Sequence, residues 1–127
     1  TYCGNPLACA AAIKTMEIMK AEDYCEKSMH IGKVVTEAFE KMKEKCSVIG
    51  DVRGLGGMIG VEFVKDKESK EPNPEFVKQL IQSALQKGLL LENAAGNVIR
   101  FLAPLCMTDE QMEAGLKIFE DAIIENL

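Results

Sequence analysis

Apolar residues recur along this chain with two different periods, and the switches between them mark out its elements. From Asn5-Pro6 to about residue 22, Leu7, Ala8, Ala10, Ala11, Ala12, Ile13, Met16, Ile18 and Met19 cover most of a helical circumference. Asn is a preferred N-cap, and proline suits the first helical position because its missing N–H would have no partner there. A helix apolar around most of its surface is expected to be buried against other protein. Residues 24–45 are patterned differently. Ile31, Val35, Ala38, Phe39 and Met42 form one stripe opposite Glu37, Lys41, Lys43 and Glu44, which predicts an amphipathic helix capped by Asp23. The period then drops to two. Residues 48–64 read as two strands around Gly54, Gly56 and Gly57, with the glycines serving a turn, a bulge or tight packing. A phosphate-binding glycine loop would lead into a helix, and here the run from Met58 is β-branched and alternating.

Residues 65–73 form a charged loop, and a third helix is expected over residues 74–87, with Phe76, Val77, Leu80, Ile81, Ala84 and Leu85 inward and Gly88 closing it. Residues 89–92 read as a short strand and residues 93–96 as a turn, so the strand that follows can pair back as a hairpin. Thr108 with Gln111 spells a capping box for a last helix over residues 109–126, striped by Met112, Leu116, Phe119 and Ile123. The order α-α-β-β-α-β-β-α predicts an α+β fold, with helices packed on one side of a small, mostly antiparallel sheet.

One strand carries an unusual residue. In Val98-Ile99-Arg100-Phe101-Leu102-Ala103, alternation puts Val98, Arg100 and Leu102 on one face and Ile99, Phe101 and Ala103 on the other. A guanidinium among such neighbours is half desolvated and needs an anionic partner. That partner is either an Asp or Glu elsewhere in the fold or the carboxylate or phosphate of a ligand held by both prongs. Taken alone, the strand favours the internal ion pair. Arg53, at another strand end, is expected to be structural.

Composition narrows the function classes. With 127 residues, 47% of them hydrophobic and 28% charged, the chain can bury a core as one compact domain. A net charge of −5 without a basic block argues against nucleic-acid or anionic-membrane surfaces. No apolar run approaches the length of a membrane span. Five cysteines contain no C-x-x-C, and His30 is the sole histidine, so neither a zinc site nor a disulfide framework is expected. A reducing cytoplasm is the natural setting, each cysteine is expected as a small core residue, and His30 as a surface or core-edge residue. No Ser or Cys has a histidine at a suggestive spacing, so anion recognition is the chemistry left, through Arg100, Arg53 and Thr1 in the loop before the first helix. The absence of an initiator methionine raises the expectation that the chain starts inside a longer protein.

Three segments carry a family resemblance. Thr1-Tyr2-Cys3-Gly4-Asn5-Pro6-Leu7-Ala8-Cys9-Ala10-Ala11 resembles the T-[FY]-x-G-N-P-L-A-x-A-A segment of class III aminotransferases, which depend on pyridoxal phosphate. Val52-Arg53-Gly54-Leu55-Gly56-Gly57-Met58-Ile59-Gly60 resembles their V-R-G-x-G-x-M-x-G stretch, and Gly96-Asn97-Val98-Ile99-Arg100 with Pro104-Leu105 their arginine strand. The resemblance implies the small C-terminal domain of a fold-type I enzyme, with residues 1–22 linking from a large domain and residues 23–127 forming the small one. It implies that Thr1 hydrogen-bonds the cofactor phosphate across a homodimer interface and that Arg100 binds the substrate carboxylate. The Schiff-base lysine and the acidic partner of the pyridine nitrogen would lie in the large domain, so this chain alone would neither hold the cofactor nor transaminate. Leu55 and the Thr1-Tyr2 pair resemble 4-aminobutyrate aminotransferases, which move an amino group to 2-oxoglutarate. The alternatives are an acetylornithine- or ornithine-type enzyme, which more often has lysine at the position of Leu55, and a stand-alone module that senses a carboxylate.

Overall fold

In the computed structural model, which describes residues 3–127, a four-stranded antiparallel sheet in the order β1-β2-β4-β3 is covered on one face. The elements are α1 (Pro6–Ala21), α2 (Tyr24–Lys45), β1 (Ile49–Leu55), β2 (Met58–Phe63), α3 (Pro74–Gln86), β3 (Glu92–Asn93), β4 (Val98–Leu102) and α4 (Asp109–Glu125). Their order is the one the sequence predicts. Helices α2 and α3 lie on the sheet, and α4 packs against both of them.

The helices start where the sequence supplies caps. Asn5 accepts from the Ala8 N–H at 2.9 Å, Asp23 from Glu26 at 3.3 Å and Asn73 from Phe76 at 3.2 Å. Both halves of the Thr108/Gln111 capping box are present. Asp23 takes a left-handed conformation (φ 49°), which lets α2 turn away from α1 without a longer loop.

Register fixes the interior. Val52, Val61 and Ile99 align across β1, β2 and β4, as do Gly54, Ile59 and Phe101, and these rows face the helices. Phe39 of α2 meets Phe101 edge-on at 6.1 Å and Phe119 of α4 at 5.2 Å, while Phe63 lies 5.3 Å from Phe76 of α3. Each fully buried side chain of this kind contributes about 1.5–3 kcal/mol, so the aromatic group ties three helices to the sheet.

Three expectations are modified. The strand foreseen over residues 89–92 shrinks to Glu92–Asn93, because the Leu89 N–H donates to the Ala84 carbonyl at 2.9 Å and is used in closing α3. Leu85 is exposed, whereas Gly32 and Ala122, outside the apolar stripes, are buried. Only Cys46 is buried; Cys3, Cys9, Cys25 and Cys106 sit before, on or between helices where the core does not reach. No residue of α1 is buried within this chain, and Leu7 and Met16 are 83% and 69% exposed.

The glycines between β1 and β2 serve two of the purposes foreseen. Leu55 and Met58 are the last hairpin pair, and Gly56 (φ 55°) with Gly57 makes the two-residue turn. Helix α2 runs so close to that turn that a β-carbon on Gly32 would clash with the Gly56 carbonyl oxygen. Ser28 fixes the approach by accepting the Gly57 N–H on its Oγ at 3.0 Å. Gly32→Ala is therefore expected to destabilise the chain by about 1–3 kcal/mol in urea denaturation, as overpacking does. Gly115→Ala on α4, where the nearest atom is 3.8 Å away, is expected to stabilise by up to about 1 kcal/mol. Equal midpoints for the two variants would refute the close-contact account.

Candidate carboxylate-binding site

Among the described residues the sheet's second face carries no helix, and the same register decides what it displays. Side chains directly opposite one another on neighbouring strands share a face, so three rows cross it: Asp51, Glu62 and Val98; Arg53, Gly60, Arg100 and Glu92; and Leu55, Met58 and Leu102. Two arginines thus stand in one row, separated by a residue with no side chain. A β-carbon on Gly60 would have Val98 Cγ1 at 3.4 Å and the Arg53 carbonyl oxygen at 3.8 Å, so this chain leaves room for one and does not use it. Sequence reading passed over Gly60. The signal available was a glycine inside a β-branched run, at the level of both arginines once the strands are paired.

The two arginines differ in how they are held. Arg53 Nη1 donates to Asp51 Oδ2 at 2.8 Å and to Glu62 Oε2 at 2.6 Å. The other Glu62 oxygen is 3.5 Å from Asn97 Nδ2, and Asp51 lies 3.9 Å from Lys43 Nζ. The hydrogen bond from Arg53 holds the Asp51 carboxyl below the usual aspartate range, with the charges of Arg53 and Lys43 adding to it. Arg53 is thereby an internal ion-pair residue, the role expected of it.

Arg100 is less completely satisfied. Its Nη2 donates to Glu92 Oε1 at 2.6 Å, a bond that raises its pKa further above the ordinary arginine value. Its Nε is enclosed and has no hydrogen-bond partner among the described residues. The internal partner foreseen for Arg100 is therefore present, and one N–H of its fork is left without an acceptor among the described residues.

Beside this row, a cavity of about 540 Å³ opens between β4 and α4, lined chiefly by apolar side chains including Leu91, Phe101, Met107, Met112 and Leu116. Glu92 and Arg100 also line it, and no lysine does. This cavity by itself does not fit pyridoxal phosphate, since it offers no amine for the cofactor's aldehyde. Thr1, the residue expected at the phosphate, lies outside the described residues. His30 is exposed, and its Nε2 is 2.9 Å from Asp109 Oδ1, joining α2 to the first turn of α4. Among the described residues there is no group of three or more His, Cys, Asp or Glu placed to hold a metal, and no helix long and apolar enough to cross a membrane.

The family model described as aminotransferase class III matches residues 1–123. This chain belongs to the class III aminotransferases. It is 41% identical over 122 residues to a probable 4-aminobutyrate aminotransferase of Bacillus subtilis, covering 94% of the chain and 28% of that protein. It is 40% identical to a 5-aminovalerate aminotransferase of Pseudomonas putida, covering 98% of the chain and 30% of that protein. A Bacillus anthracis aminotransferase structure superimposes with a TM-score of 0.92 at 30% identity, over 98% of this chain and 29% of that one. The chain thus spans under a third of the length of these class III aminotransferases, and its α+β layer has the fold of the matching portion.

The Arg53 assignment has a pH-dependent consequence. Because the Asp51 pKa is depressed by folding, its contribution to stability is complete above the unfolded value, about 3.9, and is lost as pH falls through the folded value. Arg53→Met is expected to move the Asp51 carboxyl pKa upward in a carbon-detected NMR titration. The stability gap between the two proteins should then narrow below about pH 4. An unmoved Asp51 titration would show that Arg53 does not set it.

Proposed function

We propose that this chain is the small C-terminal domain of a pyridoxal-phosphate-dependent transaminase, and that Arg100 binds the substrate carboxylate. In this reading the enzyme moves an amino group from 4-aminobutyrate, or a similar omega-amino acid, to 2-oxoglutarate. Residues 1–22 link from a large domain, and residues 23–127 are the small domain itself. The observation that carries the reading is the half-used guanidinium of Arg100 on the helix-free face of the sheet. Two similar proteins are named for 4-aminobutyrate and 5-aminovalerate, substrates whose amine lies at the far end of a short chain from the carboxylate. An anchor for that carboxylate is what such substrates share with 2-oxoglutarate.

The chemistry asked of this chain is positional. A planar fork can receive a carboxylate through two parallel N–H···O bonds, which fixes the direction of the substrate chain as well as its end. Beside Arg100, the side-chain-free surface at Gly60 lets that chain lie close to the sheet. Holding one end in this way orients the reacting amine or oxo group, the part of the barrier that positioning lowers. Pyridoxal phosphate, when bound, supplies the electron sink. Its Schiff-base lysine and the acidic partner of its ring nitrogen belong to the large domain, while Thr1 donates its hydroxyl to the phosphate across a cytoplasmic homodimer. The exposed apolar surface of α1, with Leu7, Ile13 and Met16, supports the large domain as its cover.

In the full-length enzyme, Arg100→Ala is expected to lower kcat/KM for both amino donor and oxo acid by about ten- to a hundredfold, the loss of charge-assisted hydrogen bonds. Cofactor content should be unchanged. Unaltered kcat/KM for both substrates would refute the assignment. The 127-residue chain alone, incubated with pyridoxal phosphate and passed through gel filtration, is expected to emerge without cofactor absorbance. A retained stoichiometric band would mean that the lysine lies in this chain after all.

A further inference from the structure

We propose that Met58 and Leu102 are specificity-determining residues, an apolar shelf along which the aliphatic spacer of a substrate lies while its carboxylate is held at Arg100. The inference rests on the reading of Arg100 as the carboxylate anchor and deepens it. Leu102 stands two residues beyond Arg100 on β4, and Met58 two residues before Gly60 on β2. Met58 is opposite Leu102 as Gly60 is opposite Arg100, so the four positions form a square on one face of the sheet. One corner carries the guanidinium, one carries no side chain, and two carry apolar ones.

Both apolar residues lie open, Met58 at 55% and Leu102 at 58% exposure, and Leu55 extends their row onto β1. Exposed apolar residues scattered singly need no account, but three abreast in a cross-strand row form a patch that marks a contact. Positions two apart on a strand are separated by about 6.8 Å, a reach that suits a short unbranched aliphatic chain. In the other direction along the strands stand Val98, Glu62 and Asp51. The carboxylates there are held by Arg53 and offer neither apolar surface to a methylene nor a donor to a second carboxylate. The spacer therefore runs toward Met58 and Leu102. Gly60 clears its way. That glycine takes no positive φ, and a β-carbon on it would meet nothing closer than 3.4 Å, so neither backbone nor packing demands glycine there. A glycine inside a strand weakens it, and the close approach of a ligand is what such a position admits.

In the full-length enzyme, acetate, propionate, butyrate and valerate would be measured as competitive inhibitors of the amino donor at fixed salt, so that only the apolar chain varies. In wild type each added methylene is expected to lower the inhibition constant about two- to fourfold, as burial of that group does. Met58→Thr and Leu102→Thr should flatten the progression, raising the valerate constant about three- to tenfold while the acetate constant stays within about twofold. Gly60→Ala, which the surrounding packing admits, should act in the same sense by narrowing the way to the shelf. A progression absent from wild type, or unchanged in all three variants, would overturn the shelf and leave Arg100 as the anchor. Equal losses for acetate and valerate would overturn it too, because the row would then support the protein and not the ligand's chain. If Arg100→Ala changes neither constant, the anchor itself is wrong and the inference falls with it.

Discussion

The placement of β2 between β1 and β4 is the constraint on which the rest of this structure depends. Its antiparallel register sends Ile59, Val61 and Phe63 toward the helices and turns Gly60 and Glu62 to the other face. A slip of one residue would exchange the two sets, emptying the core and scattering the site together. Several independent contacts hold that register. The Gly56-Gly57 turn admits only a short connection, α2 rests on it through Gly32, and the Phe63 N–H donates to the Asn97 carbonyl at 2.8 Å beyond the end of β4. The core and the arginine row are therefore two faces of one arrangement rather than separate features.

Within that arrangement, two chemically identical side chains are held asymmetrically. Arg53 and Arg100 sit in the same row, on the same face, with Gly60 between them. Arg53 meets two carboxylates and is complete. Arg100 meets one and keeps an unpartnered nitrogen. Neither burial nor charge distinguishes them in advance, because both are roughly half exposed and both are paired. The distinction lies in how many hydrogen bonds the surroundings supply.

That division also explains how far the sequence could be read. Caps and apolar periods are local, so the order of elements was legible, as were the starts of α2 at Asp23 and of α4 at Thr108. The facing of Arg100 was legible too, because strand alternation is a local rule. Its partner was not, since Glu92 reaches it only through the pairing of β3 with β4. Gly32 was missed because its burial comes from a contact with a turn more than twenty residues away. The length of β3 was misread because the Leu89 N–H, which a strand would use, had already gone to α3. Family likeness moved the preference to a carboxylate ligand, which alternation and charge had left second to an internal ion pair.

The brevity of β3 has a consequence for solubility. It pairs with β4 only at Ile99 and Arg100, so Phe101 and Leu102 have no ladder partner from β3 on β4's outer backbone edge. An unpaired edge of this kind is a template on which a second chain can add a strand and nucleate a fibril. Pro104, two residues on, has no N–H to offer and limits how far such a seam can grow. The template that remains is two residues long, well short of the six or seven that sustain a cross-β spine.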